Sequence, residues 1–522
     1  MPNTQSNSVP DYLILGSGLA GLSFAALMAK AGKKVKVLEA HEFPGGYGHT
    51  FVEGDKYRFN AQLHYVWNCG TGETVNMFLR KLGLEQAVTF EQYDANGYDH
   101  MRIPGYELDI PFDKIELTAR LAKLFPEHVT PIGNFINEVW LTAAEIKKLP
   151  EHASIAFVLS HALSNRRVIR YHKSTLQDVF DAFKLPLEAQ TLLALQWPDF
   201  LLPPKKLSFF AWAALFTGYC RGAYYPTHHF EHVIDSLVKV IVENDGEIIY
   251  NHKVTNFILD ENRVMGVKTM GVQDRAVFQE HYGEDVICNI DPQHAAAIIG
   301  KDKFSSSVRA KLDYDYSASN FVAYCVVKGI DLSDFGFGRW NLFHSEQADL
   351  NKAFDDMYDR ADYSAPSFGV TTPGFLTDNS SDCPDGEQII QFITVANYQY
   401  FHDLKIRDAG AYRKMKKVIF DSMIDIIEQK YVPNFRDFIV FKMTGSPTTN
   451  ESFCVAPEGN SYGSNLTPKN FSAGRLDHRT SLKNFYFCNA SSGAPSFTGT
   501  INTGCTLYEK LSGDPVLDAD LP

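Results

Sequence analysis

Apolar positions form short runs at both ends of the chain and recur with helical spacing between them. From residue 11, "DYLIL" is an apolar stretch of strand length, "LSFAALMAKAG" is a helix rich in Ala and Leu, and "KKVKVLE" is a second strand ending on Glu39. Beyond residue 113 the pattern is mostly helical, as in "IELTARLAKLF" and "TLQDVFDAF". "FEHVIDSLVKVIVENDG" predicts an amphipathic helix closed by an Asn-Asp-Gly turn. Strands follow at "EIIYN", "KVTNFILD" and "VMGVKT", the last two joined by a hairpin turn around Glu261-Asn262-Arg263. "EDVICNIDP" is a further strand running into a proline-capped turn, and residues 300 to 470 mix helices and strands with polar loops such as "TDNSSDCPDGEQ". At the end, "NFYFCN" is a strand, a loop of small residues follows, and a helix begins near Thr498 to Thr500. No short-period repeat runs through this pattern.

With 522 residues the chain is long enough for two or three domains. Its net charge of −13 argues against nucleic acid, whose affinity rests on Lys and Arg, and against electrostatic docking on anionic lipid. Aromatic residues at 13% suit a long apolar pocket or a bulky core. The eight cysteines are scattered without a C-x-x-C pair, so buried reduced thiols are expected rather than a zinc ribbon or a disulfide framework. The first ten residues are polar, which predicts no signal peptide and a cytoplasmic protein. The longest apolar stretch, "LSFFAWAALFTGYC" (207 to 220), is too short to span a bilayer and reads as a core helix.

Chemistry enters at the first turn. Gly16, Gly18 and Gly21 have the G-x-G-x-x-G spacing between a strand and a helix. One glycine makes the turn, one lets backbone approach a pyrophosphate, and one allows close helix–strand packing. Free N–H groups at the helix N-terminus favour the phosphates, and Glu39, at the end of the second strand, is placed to accept hydrogen bonds from a ribose diol. A second pair, Gly45 and Gly46, follows at once. NAD-dependent dehydrogenases need no such pair, so it favours FAD, although an ordinary turn would also take glycine. The C-terminal strand-loop-helix unit reads as a second ligand-facing element, its helix N-terminus able to stabilise a reduced flavin. In "AYYPTHHFEH", His228 and His232 are four apart and share one helix face, with His229 beside them. Helix-end packing, a metal site and proton transfer all stay open there. A metal would need ligands from other elements that the sequence does not name, so none is expected.

These stretches together resemble the phytoene desaturase, carotenoid isomerase and retinol saturase family of FAD-dependent oxidoreductases. The resemblance covers nearly the whole chain: "LILGSGLAGLSFAALMAKAGKKVKVLEA", "PGGYGHTF", "FNAQLHYV", the 222–267 stretch, "DVICNIDP", "DCPDGEQIIQFITV", "EGNSYG" and "NFYFCNASSGAPSFTGTINTG". "GHTF" and "LHYV" look most like retinol saturases. The resemblance implies an α/β fold with a Rossmann-type FAD-binding domain of the glutathione-reductase kind, built from discontinuous segments, and an inserted α+β substrate domain. The expected division is 1–112, 226–300 and 471–522 for FAD, and 113–225 and 301–470 for substrate. It implies saturation, desaturation or cis-trans isomerisation of a hydrophobic polyene such as a carotenoid or retinoid. Unsaturated fatty-acid or polyketide substrates, and a non-catalytic lipid carrier like the Rab GDP-dissociation inhibitors, are the alternatives.

FAD-binding roles carry over to Gly16, Gly18, Gly21, Glu39, Gly45, Gly46 and Val254, with Asn489 and Thr500 in the C-terminal unit. The chain also departs from its relatives. Tyr47 stands where many have Arg, Cys488-Asn489 where they have Gly-Asp, and Thr227-His228-His229 where they read x-Gly-Gly. Because saturation needs a proton donor beside the hydride donor, His64, Tyr65, His228 and His229 are the catalytic candidates. The expected partner is a hydrophobic small molecule, with peripheral membrane contact the minority expectation.

Overall fold

The computed structural model describes residues 9–149, 155–377, 382–471 and 474–517, and of residues 155 and 156 the backbone alone. The expectation about the N-terminus falls mainly on residues 1–8, and the polar loop near 380 falls in part on 378–381, outside the described residues.

A five-stranded parallel sheet forms the first layer, in the order Glu247–Ile249, Val35–Leu38, Tyr12–Leu15, Asp285–Cys288, Phe485–Phe487. Its strands come from three separated parts of the chain, as expected of the discontinuous Rossmann-type fold. Both faces are covered, which is why these strands are mostly apolar, with charges only at Lys36, Glu247 and Asp285, rather than alternating. Tyr12, Ile14, Val35 and Val37 face the helices Leu19–Lys30, His229–Glu243 and Phe497–Ser512. Leu13, Leu15, Leu38, Val286 and Cys288 face a three-stranded antiparallel sheet made by His252–Asp260, Arg263–Gly271 and Phe278–Tyr282. The predicted hairpin is there, with Asp260 paired to Arg263, and Phe278–Tyr282 adds an edge strand that its mostly exposed, polar side chains hid from the apolar pattern.

The second layer is a seven-stranded sheet in the order Ile439–Gly445, Ser319–Lys328, Glu387–Ala396, Ser367–Thr371, Asn341–Ser345, Asp99–Ile103, Tyr106–Ile110. The last two strands lie within the 1–112 segment assigned from sequence to the nucleotide layer; residue 99 pairs in parallel with Asn341, so this hairpin is part of the other sheet. Helices between residues 114 and 219 pack beside it. Among them Phe209–Tyr219 is the apolar "FFAWAALFTGY", with Phe209, Trp212 and Phe216 buried and Trp212 stacked 4.7 Å from Phe216. That run is core, and among the described residues no helix is long and apolar enough to cross a membrane. No disulfide joins the eight cysteines, and all but Cys454 are buried.

Candidate functional site

One continuous cavity of about 320 Å³ runs between the two layers. Of the residues singled out from sequence, Gly16, Gly18, Glu39, Gly45, Gly46, His64, Tyr65, Val254, Asn489 and Thr500 line it. Gly21 stands behind the wall, while His228 and His229 do not reach it.

The polar end begins at the first turn. Gly16 has φ +95°, a conformation that side chains disfavour. Gly18 opens the helix Leu19–Lys30 with no side-chain cap, so the first N–H groups point outward without an intrahelical partner. A Cβ at Gly18 would stand 2.6 Å from Asn289 Oδ1, and one at Gly21 would stand 2.9 Å from the Gly16 carbonyl and 3.0 Å from Asn289 Cβ. Asn289 is thus the reason for two of the glycines: it follows the strand Asp285–Cys288 and donates from Nδ2 to the Cys488 carbonyl, tying the first turn to the C-terminal unit. Gly45 and Gly46 are no ordinary turn. Gly45 N–H donates to the Ser17 carbonyl, Gly45 bridges Gly18, and a Cβ on Gly46 would meet Gly18 Cα at 3.3 Å. Glu39 accepts from Ser17 N–H (2.8 Å), Ser17 Oγ (2.5 Å) and His41 N–H (2.8 Å), which fixes its carboxylate at the cavity edge. A bare helix N-terminus, a wall without Cβ atoms and an anchored carboxylate fit a dinucleotide.

At the other side of this end, Asn489 closes the strand Phe485–Phe487. Its Oδ1 accepts from Ser491 N–H and Ser492 N–H, and its Nδ2 donates to the Cys288 and Ile290 carbonyls. The side chain therefore shapes the 489–496 loop. The helix Phe497–Ser512 starts a little earlier than read from sequence, after Ser496 at φ +80°, whose Oγ accepts from Gly499 N–H. Thr500, in the first turn, donates to the Ser496 carbonyl and faces the cavity.

The far end is apolar, lined by Leu63, Phe343 and Ile393, with a few polar groups. His64 lies beside Gln391, yet neither ring nitrogen has a hydrogen-bond partner of good geometry. Burial pushes its pKa down to about 4, so the imidazole is neutral at physiological pH. Tyr65 stacks on Tyr219 at 4.2 Å, and its Oη lies 2.7 Å from Asp199 Oδ2 and 3.2 Å from Asp99 Oδ2. Asp99 also accepts from Asn341 Nδ2 at 2.9 Å and from Gln196 Nε2. Burial raises both carboxyls, Asp99 to about 7 and Asp199 well above the carboxylate range, where Asp99 adds repulsion. Sequence reading missed both acids. They are 100 residues apart, and "QWPDF" and "GYDH" carry no motif; the signal available was only an acid within an apolar run.

The Asp99 shift has a sign that unfolding experiments can read. Below about pH 4 the carboxyl is protonated in folded and unfolded chains alike. Between there and its folded value of about 7, only the folded chain holds the proton, so Asp99 makes stability fall as pH rises through that window. The advantage of wild type over Asp99→Asn should shrink by a few kcal/mol across it, at about 1.4 kcal/mol per pKa unit. Denaturant unfolding of both proteins at several pH values checks this, and parallel pH curves would refute it.

The histidines of the 223–232 stretch are accounted for differently than expected. His228 is exposed, and its ring meets His232 edge-on at 5.6 Å, while His232 Nε2 lies 2.9 Å from the Ala87 carbonyl. His229 is buried with φ +77°, a backbone conformation that glycine adopts more readily than any other residue. Its Nδ1 lies 3.3 Å from Thr50 Oγ1 and its Nε2 3.4 Å from Asp382 Oδ1; burial and Arg58 push its pKa down to about 3. It is a neutral polar link between segments rather than a group at the cavity wall.

Comparison with known proteins agrees with this architecture. Residues 14–82 match the family described as NAD(P)-binding Rossmann-like domain. All-trans-retinol 13,14-reductase of Danio rerio is 22% identical over 535 residues, covering 95% of this chain and 85% of its own. Prolycopene isomerase 2, chloroplastic, of an Oncidium hybrid cultivar is 22% identical over 549 residues, covering 98% and 86%. In fold, a triple mutant of putrescine oxidase superposes with a TM-score of 0.64 at 14% identity, covering 97% of this chain and 99% of that one. The Rab GDI of Plasmodium falciparum superposes less well, with a TM-score of 0.51 at 13% identity, covering 97% and 98%. Along nearly its whole length, the chain is similar to all-trans-retinol 13,14-reductases and prolycopene isomerases.

Proposed function

We propose that this protein is an FAD-dependent oxidoreductase or isomerase acting on double bonds of a hydrophobic polyene of carotenoid or retinoid type. The observation that carries the reading is a single cavity whose dinucleotide-fitting end opens into an apolar end with only a few polar groups. Retinol reductases and prolycopene isomerases among its relatives supply the substrate class.

In this reading the pyrophosphate lies on the uncapped N-terminus of Leu19–Lys30, with Gly16, Gly18 and Gly21 keeping the wall low. Glu39 accepts hydrogen bonds from the ribose diol, and Val254 borders the same end, next to His252, whose N–H donates to the Glu39 carbonyl. Gly45 and Gly46, docked on the first turn, favour FAD over a nicotinamide cofactor. Asn489 holds the loop that leads to Thr500 and the second helix N-terminus, where negative charge is stabilised. FAD, when bound, supplies two-electron exchange with the substrate. The apolar wall excludes water and holds the polyene. His64, neutral and beside Gln391, is a hydrogen-bonding or basic group facing the substrate end rather than an acid.

Two measurements test the proposal. The purified protein, reconstituted with FAD, should show flavin absorption bands, and nicotinamide dinucleotides should not displace them. Anaerobic incubation of the reduced protein with retinoid, carotenoid and fatty-acid panels, read by mass, then separates the chemistries. A gain of two hydrogens means saturation, a loss means desaturation, and an unchanged mass with altered retention means isomerisation. Turnover confined to fatty acids would move the substrate class. A colourless protein that FAD cannot reconstitute, and that binds polyenes without changing them, would overturn the enzyme reading in favour of a carrier.

A further inference from the structure

Three separate elements bring oxygen atoms together at the apolar end of the cavity. Tyr65 precedes the short strand Val66–Trp67, Asp199 ends the turn Trp197–Asp199, and Asp99 opens the strand Asp99–Ile103. Tyr65 Oη stands between the two carboxyls, 2.7 Å from Asp199 and 3.2 Å from Asp99. One phenolic proton cannot serve both acceptors, and two carboxylates on one hydroxyl repel, so the cluster keeps an additional proton.

The surroundings decide which carboxyl holds it. Asp99 receives amide donors from Asn341 and Gln196, and both stabilise its charged form. Asp199 is hydrogen-bonded by Tyr65 alone among these, and the titratable groups around it are Tyr65, Tyr93, Tyr219, Tyr462 and Asp99, none of them a cation. Asp199 lines the cavity and Asp99 does not.

We propose that Asp199, as a neutral carboxylic acid on the cavity wall, is the catalytic residue that gives a proton to a polyene carbon, with Tyr65 relaying its replacement and Asp99 positioning the pair. The inference rests on the polyene reading above. In the transfer the Asp199 O–H bond breaks and a C–H bond forms at one carbon of the double bond. In saturation the other carbon takes a hydride from a reduced flavin, so the substrate gains two hydrogens and two electrons and the flavin is oxidised by two. In isomerisation the new C–H bond breaks after rotation, and the proton returns to Asp199 with no net electron transfer. The carboxylate left by saturation takes its proton from Tyr65 Oη, which lines the same cavity and is refilled there by a proton from solvent as product leaves, while Asp99 stays ionised.

The test uses the FAD-reconstituted full chain. Asp199→Asn keeps the shape and removes the acid. It should retain FAD and bind the polyene within about threefold of wild type, while turnover falls roughly 10²–10⁴-fold, the usual worth of a positioned acid. In D₂O the wild-type saturation product should carry solvent deuterium at the carbon that Asp199 protonates, besides any delivered through the exchangeable N–H of the reduced flavin, formed at a rate that Asp199→Asn loses and Asp199→Glu restores in part. At a pH above the Asp99 value of about 7, the wild-type minus Asp199→Asn infrared difference spectrum should show the band of a protonated carboxyl. Asp99→Asn should shift the pH profile of turnover, a readout that mere loosening of the fold would not move. Wild-type turnover with an equally active Asp199→Asn, or a difference spectrum without the protonated-carboxyl band, would overturn the assignment while leaving the polyene reading intact. A flavin-loaded wild type that converts no polyene overturns both.

Discussion

The Gly21→Val protein should purify with less flavin than wild type and need roughly ten- to a hundredfold more FAD for reconstitution. The reason is local. A Cβ on residue 21 meets the carbonyl oxygen of Gly16 at 2.9 Å, and Cβ and Cγ of Asn289 at 3.0 Å. The first obstacle is backbone, which no rotamer change relieves, and the second is a side chain held by its bond to the Cys488 carbonyl. Valine adds two further methyls, so the helix must move away from the glycine turn proposed to face the phosphates. Overpacking of this kind costs about 1–3 kcal/mol, and if that falls on the bound form, FAD affinity drops by roughly ten- to a hundredfold. The flavin-to-protein absorbance ratio after reconstitution measures it, and a normal ratio would contradict both the packing and the cofactor assignment. Gly133→Ala is the matched control. In the helix Val129–Lys147 its Cβ meets only Thr118 Cγ2, at 4.0 Å, so it should bind FAD normally and gain up to about 1 kcal/mol of stability from helix propensity.

Arg475→Met should cause the second large loss, of both stability and cofactor. The Arg475 guanidinium is 6% exposed and donates to three backbone carbonyls: Gly493 and Ala490 on the cavity loop, and Asn470 at 3.2 Å. Burial lowers its pKa to about 10, which leaves it charged at every working pH. Methionine fills much of the volume but satisfies none of the carbonyls. With hydrogen bonds to a charged group worth about 1.5–3 kcal/mol each, a destabilisation of roughly 3 kcal/mol or more is expected. Arg475→Lys should rescue little, because one ammonium cannot reproduce a planar fork reaching three directions. Thermal unfolding and flavin retention check the pair, and a Met variant as stable as wild type would show that the loop holds its shape without the arginine.

The nucleotide layer was the most legible part of the chain because its signals are local. A strand, a glycine turn, a helix and a terminal acid fall within residues 12–39, and each follows from bonds between near neighbours. The hairpin at residues 260–263 was legible for the same reason. The edge strand Phe278–Tyr282 was not, because three of its five side chains are polar and most are exposed. Nor was the membership of residues 99–110 in the second sheet, since their parallel partner is Asn341, far along the chain.

The candidate site divides along the same line. The sequence by itself determined the glycines, Glu39 and the loop of small residues before the last helix, since conformation at positive φ and absence of Cβ are properties of single positions. It also singled out His64 and Tyr65, but it could not separate them from His228 and His229. Only the tertiary structure set the first two on the cavity wall, left His228 exposed and enclosed His229 between Thr50 and Asp382. It alone gave Tyr65 its carboxyl partners and Gly18 and Gly21 their common neighbour Asn289. Burial and the proximity of distant charges decide protonation and chemical role, and both arise when segments remote in sequence close on one another.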